Sequence, residues 1–243
     1  MKGNSLIIIP TYNESENIEL IISKILLLND SNDILIVDDN SPDGTSNIVS
    51  DLKKENIDRI FLIVRDTKLG LGSAYKEGFK WALNKNYSYI FEMDADLSHN
   101  PSEIINLKEL LIKRDFDVAI GSRYLEGVSV VNWPLSRIFL SYFANIYVRI
   151  ITGMPVKDAT SGFIGYTNES LSSLNIDNIK FNGYAFQIEI KFKLWKKNFK
   201  LMEHQIIFVN RKSGKSKMDK NIIFEAIFGV IRLKLNSLFK IDE

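Results

Sequence analysis

Short apolar runs alternate with longer segments of helical periodicity through the first half of the chain. Residues 6–10, 34–37, 60–64, 89–93 and 118–120 are rich in Ile, Val, Leu and Phe, the composition of buried strands. Between them, residues 14–28, 45–54, 73–84 and 101–113 repeat their apolar positions at helical spacing. Pro101 suits a first helical turn, where a missing N–H costs nothing. Strands alternating with helices predict an α/β fold with a mainly parallel central sheet covered on both faces. The second half is less regular. A helix over 135–152 precedes a stretch rich in Gly, Pro, Thr and Ser around 155–165. A helix over 184–197, a strand near 201–209, a basic loop over 210–220 and an amphipathic helix over 221–239 complete the expected order. Residues 1–219 form one expected domain, and 220–243 a C-terminal helical appendage.

Composition narrows the chemistry. With 243 residues, 45% hydrophobic and 25% charged, the chain suits one sizeable globular domain. A net charge of +1 gives no global attraction to nucleic acid, so anion recognition must be local. The absence of cysteine excludes disulfides, thiolate metal sites and cysteine nucleophiles. The apolar stretch 6–9 is too short for a signal-peptide core. The apolar run 138–148, bracketed by Arg137 and Arg149, is too short to span a bilayer. A cytoplasmic protein is expected, with any membrane contact peripheral.

In parallel sheets ligands sit beyond the carboxyl ends of the strands, and four polar clusters fall there. They are PTYNESEN (10–17), VDDNSPDGT (37–45), KLGLGSA (68–74) and MDADLSHNP (93–101). Any one of them is also ordinary turn chemistry. The most informative is Asp94-Ala95-Asp96, because residues i and i+2 of an extended segment point the same way. Two carboxylates held together are costly unless a cation joins them. A hard ion such as Mg²⁺ or Mn²⁺ takes such oxygens and bridges them to phosphates. The alternative is an acidic entry to the following helix, favoured by its dipole.

Taken in order, PTYNE, VDDNSPDGT, GLGSAYKEGF and the Asp94/Asp96 pair resemble the donor half of family 2 glycosyltransferases with the Rossmann-like GT-A fold. GSRY (121–124), DATSGF (158–163), GYAFQIEI (183–190) and RKSGKSKM (211–218) resemble the dolichol-phosphate, or polyprenol-phosphate, mannose synthase branch. The resemblance implies metal-dependent, inverting transfer of mannose from GDP-mannose to a polyprenyl phosphate. It places Pro10, Tyr12, Glu14, Val37 and Asp39 around the nucleoside, and Asp94, Ala95 and Asp96 at the metal and diphosphate. Ser98 stands where some relatives carry Gln and is the weak third candidate for the metal. Arg211 and Lys217 would contact the diphosphate, with Lys215 beside them. Arg123, Arg137 and Ser141 would hold the acceptor phosphate, making Asp96, Arg123 and Arg137 the principal catalytic candidates. Asp158 and Glu189 are supporting carboxylates, expected to orient sugar hydroxyls or arginines.

The 135–152 helix carries Arg137, Ser141, Asn145 and Arg149 at intervals of four among aromatic and aliphatic residues. Such a stripe ordinarily faces solvent; the other reading is an apolar platform for a prenyl chain beside cations for its phosphate. A phosphate acceptor is already nucleophilic near neutral pH and needs no strong general base. The last helix has a broad apolar face suited to the core, the membrane interface or a small membrane-protein partner. Two other functions stay open: a UDP-sugar donor with a lipid phosphate or glycan hydroxyl acceptor, and a non-catalytic sugar-nucleotide-binding regulatory subunit.

Overall fold

A computed structural model describes residues 5–28, 32–210 and 220–239. Its first half follows the alternation expected: β1 (Ser5–Thr11), α1 (Ile18–Leu26), β2 (Asn32–Asp38), α2 (Thr45–Glu55), β3 (Ile60–Val64), α3 (Leu71–Asn84), β4 (Tyr89–Glu92), α4 (Glu103–Lys113) and β5 (Val118–Ser122). Then come β6 (Val130–Val131), α5 (Leu135–Thr152), β7 (Ile164–Thr167), α6 (Asn168–Ser172), α7 (Gly183–Lys196), β8 (Leu201–Gln205), β9 (Phe208–Val209) and α8 (Lys220–Phe239).

The main sheet has the order β3-β2-β1-β4-β7-β5-β8, and β6 pairs separately with β9. All neighbours in the main sheet are parallel except those of β7, which runs antiparallel between β4 and β5. The strands are buried on both faces, with Leu6, Ile8, Leu35 and Val37 in one core layer and Ile7, Ile9, Ile34 and Ile36 in the other. This explains their unbroken apolar runs. Helix α3 lies close on β1: a Cβ added to Gly78 would sit 2.6 Å from Ile8 Cγ2. Because the outer strands share a direction, the ends of β1, β2, β4, β5 and β8 gather at one rim. Antiparallel β7 brings its entering segment, residues 158–163, to that rim too.

Four local features depart from the expected ones. Helix α1 begins at Ile18 rather than near residue 14: Asn13 takes φ +59°, outside the helical region, and the N–H groups of Asn13, Glu14 and Ser15 bind Ser41 Oγ, Thr45 Oγ1 and Asp43 Oδ2. Pro101 lies in a turn just before α4 rather than in its first turn. The expected 201–209 strand is two strands, β8 and β9, with different partners. The expected irregular stretch over 155–165 runs into β7, whose four residues are too few to show alternation.

Helix α8 rests against α5 and α7. Val230 and Leu233 are buried, Tyr147 donates to the Ile227 carbonyl and Lys234 to that of Thr152. Phe228, Ile231, Leu235 and Leu238 remain exposed on it. Among the described residues no helix is long and apolar enough to cross a membrane.

Candidate active site

One side of the rim begins with β1 and β2. Thr11 donates to the Asp38 carboxylate at 2.7 Å, and Ser41 donates to it through both backbone N and Oγ. Asp38 therefore shapes the turn, leaving its neighbour Asp39 to face the β3–α3 loop. Asp39 accepts from the Arg65 guanidinium and from Gly70 N at 3.0 Å. Arg65 also reaches Ser73 Oγ and the Gly70 carbonyl. Gly70 has φ +90°, a conformation that strains side-chain-bearing residues. The Tyr12 ring stands under the Lys68 ammonium, 3.9 Å from its centroid. Pro10, Tyr12 and Glu14 are half-buried at this mouth, while the Val37 side chain is wholly enclosed in the core. Val37 offers the rim only its backbone.

Beyond β4, Asp94 and Asp96 are half-buried and Ala95 is buried between them. Leu97 takes φ +61°, which turns the chain back so that Ser98 N and Oγ both donate to Asp96 Oδ1, at 3.1 and 2.5 Å. Ser98, expected as a weak metal ligand, thus holds Asp96 in this structure. His99 is buried, stacked on Phe163 at 4.9 Å, with Nδ1 3.9 Å from Asp94 Oδ2 and no hydrogen-bond partner. Burial pushes its pKa down to about 4, outweighing the nearby Asp96 charge, so the ring is neutral near pH 7.

The second cluster is built on β5, the 158–163 segment and α5. Arg123 and Asp158 are buried and joined by two side-chain bonds, Nε to Oδ2 at 2.7 Å and Nη2 to Oδ1 at 2.6 Å. Burial alone would raise the Asp158 pKa, but the Arg123 charge and hydrogen bonds hold it below the usual value. Arg123 also donates to Thr160 Oγ1. Asn145, buried on α5, donates to that same oxygen and accepts from Thr160 N. Arg137 donates to Asn210 Oδ1 at 3.2 Å. The stripe on α5 therefore faces the protein at Arg137, Ser141 and Asn145, whereas Arg149 is exposed. Leu135, Phe139, Leu140, Tyr142 and Phe143 face outward. This reverses the usual amphipathic arrangement.

The two clusters share β9. Val209 N donates to the Ser98 carbonyl, and Asn210 N to that of Val131. Glu189, by contrast, accepts from Lys180 N and Phe181 N and pairs with Lys193 at 2.7 Å, so it braces the loop before α7. Arg211, Lys215 and Lys217 lie outside the described residues. Behind the rim, buried Lys191 donates to the Ala159 and Ser161 carbonyls, and buried Glu92 accepts from Tyr166 and Gln187.

The sequence motifs assign no role to Arg65, His99, Asn145 or Trp133. His99 had an available signal, a histidine three positions after Asp96 within a strand-end cluster. Arg65 had little, because a lone arginine after a strand reads as a solvated charge.

Residues 6–174 match the family described as "Glycosyl transferase family 2", and the chain belongs to it. It is an enzyme, a glycosyltransferase. Over 226 residues it is 41% identical to the polyprenol monophosphomannose synthase of Mycolicibacterium smegmatis, covering 93% of this chain and 85% of that one. Over 227 residues it is 39% identical to the undecaprenyl-phosphate mannosyltransferase of Micrococcus luteus, covering 93% and 92%. A crystal structure of glucosyl-3-phosphoglycerate synthase from Mycobacterium tuberculosis, in complex with Mn²⁺, UDP and phosphoglyceric acid, is similar in fold. It has a TM-score of 0.68 at 16% identity, over 96% of this chain and 78% of that one. The fold is GT-A, as the resemblance implied.

Proposed function

We propose that this glycosyltransferase moves mannose from GDP-mannose to a polyprenyl monophosphate, with inversion, giving a polyprenyl β-D-mannosyl phosphate. The observation that carries the reading is the reversed helix α5. It turns Arg137 and Ser141 toward the Arg123 cluster while exposing Leu135, Phe139, Tyr142 and Phe143. A lipid phosphate has the matching form, an anion on an apolar chain. The names of the two relatives supply the acceptor class and the sugar.

Pro10, Tyr12, Glu14, the Val37 backbone and Asp39 are the donor nucleoside contacts in this reading, with Arg211 and Lys217 on the diphosphate. Asp94 and Asp96 suit Mg²⁺ or Mn²⁺, because both are carboxylates half-buried at the rim and hard ions take such oxygens. No three His, Asp or Glu groups among the described residues form a metal cage, so phosphate oxygens and water would have to supply the remaining ligands. Such an ion would neutralise charge on the departing diphosphate. Arg123, held by Asp158, and Arg137 bind and orient the acceptor oxyanion toward the anomeric carbon. The phosphate attacks without surrendering a proton, so neither Asp158 nor Glu189 is required as a base.

The C-terminal unit, 220–243, and the exposed face of α5 form the expected contact with the cytoplasmic surface of a membrane or with a small membrane-protein partner. Peripheral binding suits these apolar faces, since no helix among the described residues is long and apolar enough to span a bilayer.

The test is transfer of labelled sugar from GDP-mannose or UDP-glucose to a short polyprenyl phosphate, with Mg²⁺, Mn²⁺ or chelator. Metal-dependent mannolipid from GDP-mannose alone is expected. Product from UDP-glucose alone overturns the donor assignment, and donor turnover without lipid product overturns the acceptor.

A further inference from the structure

The two arginines assigned to the acceptor phosphate share an aromatic support that the motifs did not single out. Trp133 lies between β6 and α5. The Arg137 guanidinium carbon is 3.9 Å from the centroid of its ring, and the Arg123 carbon 5.6 Å. Phe208 of β9 meets the indole edge-on at 5.3 Å. The indole nitrogen is buried without a hydrogen-bond partner, so a bond from that N–H is not what fixes the ring. What Trp133 offers the arginines is its π face.

Two guanidinium groups brought toward one place repel each other. A carboxylate between them would remove the repulsion, but it would also compete with an incoming phosphate. The negative face of an indole attracts a guanidinium without taking up its N–H groups. Arg123 also lies 5.3 Å from the Tyr124 ring, so the indole matters most to Arg137. Arg123 already has Asp158 to fix it. Arg137, at the start of an exposed helix, gains more from the ring.

We propose that Trp133 is a positioning residue for the acceptor phosphate, holding Arg137 against its ring beside Arg123. The inference rests on the acceptor reading above. Its test compares Trp133→Phe, which keeps a smaller π face, with Trp133→Leu, which keeps apolar bulk without one. Steady-state rates are measured against a short polyprenyl phosphate at saturating GDP-mannose, and GDP-mannose affinity is measured by calorimetry. Trp133→Leu is expected to raise the acceptor KM by about 3- to 30-fold, the range one cation–π contact supports. The kcat and donor affinity should stay within about twofold of the parent, well below one tenfold step, and Trp133→Phe should recover most of the loss. If Trp133→Leu fails to fold, Trp133→Met carries the same expectation.

Equal impairment of the Phe and Leu variants, a change confined to kcat or to donor affinity, or no change at all would overturn the inference. Arg137→Ala separates it from its premise. If that variant leaves the acceptor KM unchanged, the acceptor reading itself has failed. If it raises KM while Trp133→Leu does not, only the role of Trp133 is lost.

Discussion

Arg123 and Asp158 form a buried two-bonded pair, with distances of 2.7 and 2.6 Å, that fastens the end of β5 to the segment entering β7. The pair fixes a cation where the acceptor is expected, and it does so inside the fold. Buried pairs of this kind are costly to break from one side, because the remaining charge stays desolvated.

Asp158→Ala is therefore expected to destabilise the protein by about 3–5 kcal/mol, read as a shift of the urea midpoint. Removing Arg123 as well, in Asp158→Ala/Arg123→Met, should recover part of that stability and no activity. A single variant as stable as the parent would show that the pair is dispensable to the fold.

Asp96→Ala tests the donor centre. Its carboxylate is held by Ser98 at the half-buried rim, so the fold should tolerate its loss. Transfer is expected to fall by roughly a hundred- to a thousandfold or more, with thermal unfolding little changed. Substantial residual transfer in that variant removes Asp94 and Asp96 from the reaction centre. Ser98→Ala should cost less, since Ser98 N still donates to Asp96.

Arg65→Met leaves Asp39 buried without its cation and frees the Gly70 loop from one of its ties. Donor affinity by calorimetry is expected to drop about tenfold, near the 1.4 kcal/mol of one charge-assisted hydrogen bond, and stability should fall too. Adding Asp39→Asn should restore stability but not donor binding. Restoration of both would mean that the pair only props the loop.

Glu92 sets a pH dependence of stability. Burial raises its pKa to about 7, from an ordinary 4.5, despite hydrogen bonds from Gln187 and Tyr166 and the charge of Lys191. The folded state then holds a proton that the unfolded chain releases between those values. Its contribution is full below about pH 4.5 and is lost as pH rises through about 7. The total is on the order of 3 kcal/mol. Urea unfolding from pH 4.5 to 8 should show this decline beneath the other titrations, and Glu92→Gln should remove it. An unchanged slope in that variant would refute the assignment.

Much of this was legible in the sequence because strand ends carry their chemistry contiguously. The apolar runs announced β1 to β5, and the clusters after β1, β2, the 60–64 run and β4 do line one rim. Asp158 sits in the DATSGF motif and bonds Arg123 of GSRY, two segments far apart in sequence. What the sequence does not reveal depends on distant pairing. Strand β7 is too short to alternate visibly, and the inward turn of the α5 stripe is set by Thr160 and Asn210. Arg65 and Trp133 acquire meaning only from what the fold sets beside them. Glu189 lies in the GYAFQIEI motif, and its partners here are the backbone of Lys180 and Phe181 and the Lys193 ammonium, which the sequence does not reveal.

The place of β7 has a consequence for the order in which the protein assembles during synthesis. Strands β4 and β5 follow one another along the chain but never pair, because β7 enters between them. Until residues 164–167 leave the ribosome, β4 has an open inner edge bearing Ile90 and Phe91, and β5 has no main-sheet neighbour. Open apolar edges recruit other chains. A nascent chain halted between residues 122 and 163 is expected to associate with itself or with chaperones, which sedimentation of stalled chains would reveal. Release past residue 167 closes the β4 edge and joins β5 to the sheet, so this four-residue strand should sharply reduce that association. The far edge of β5 closes only with residues 201–205.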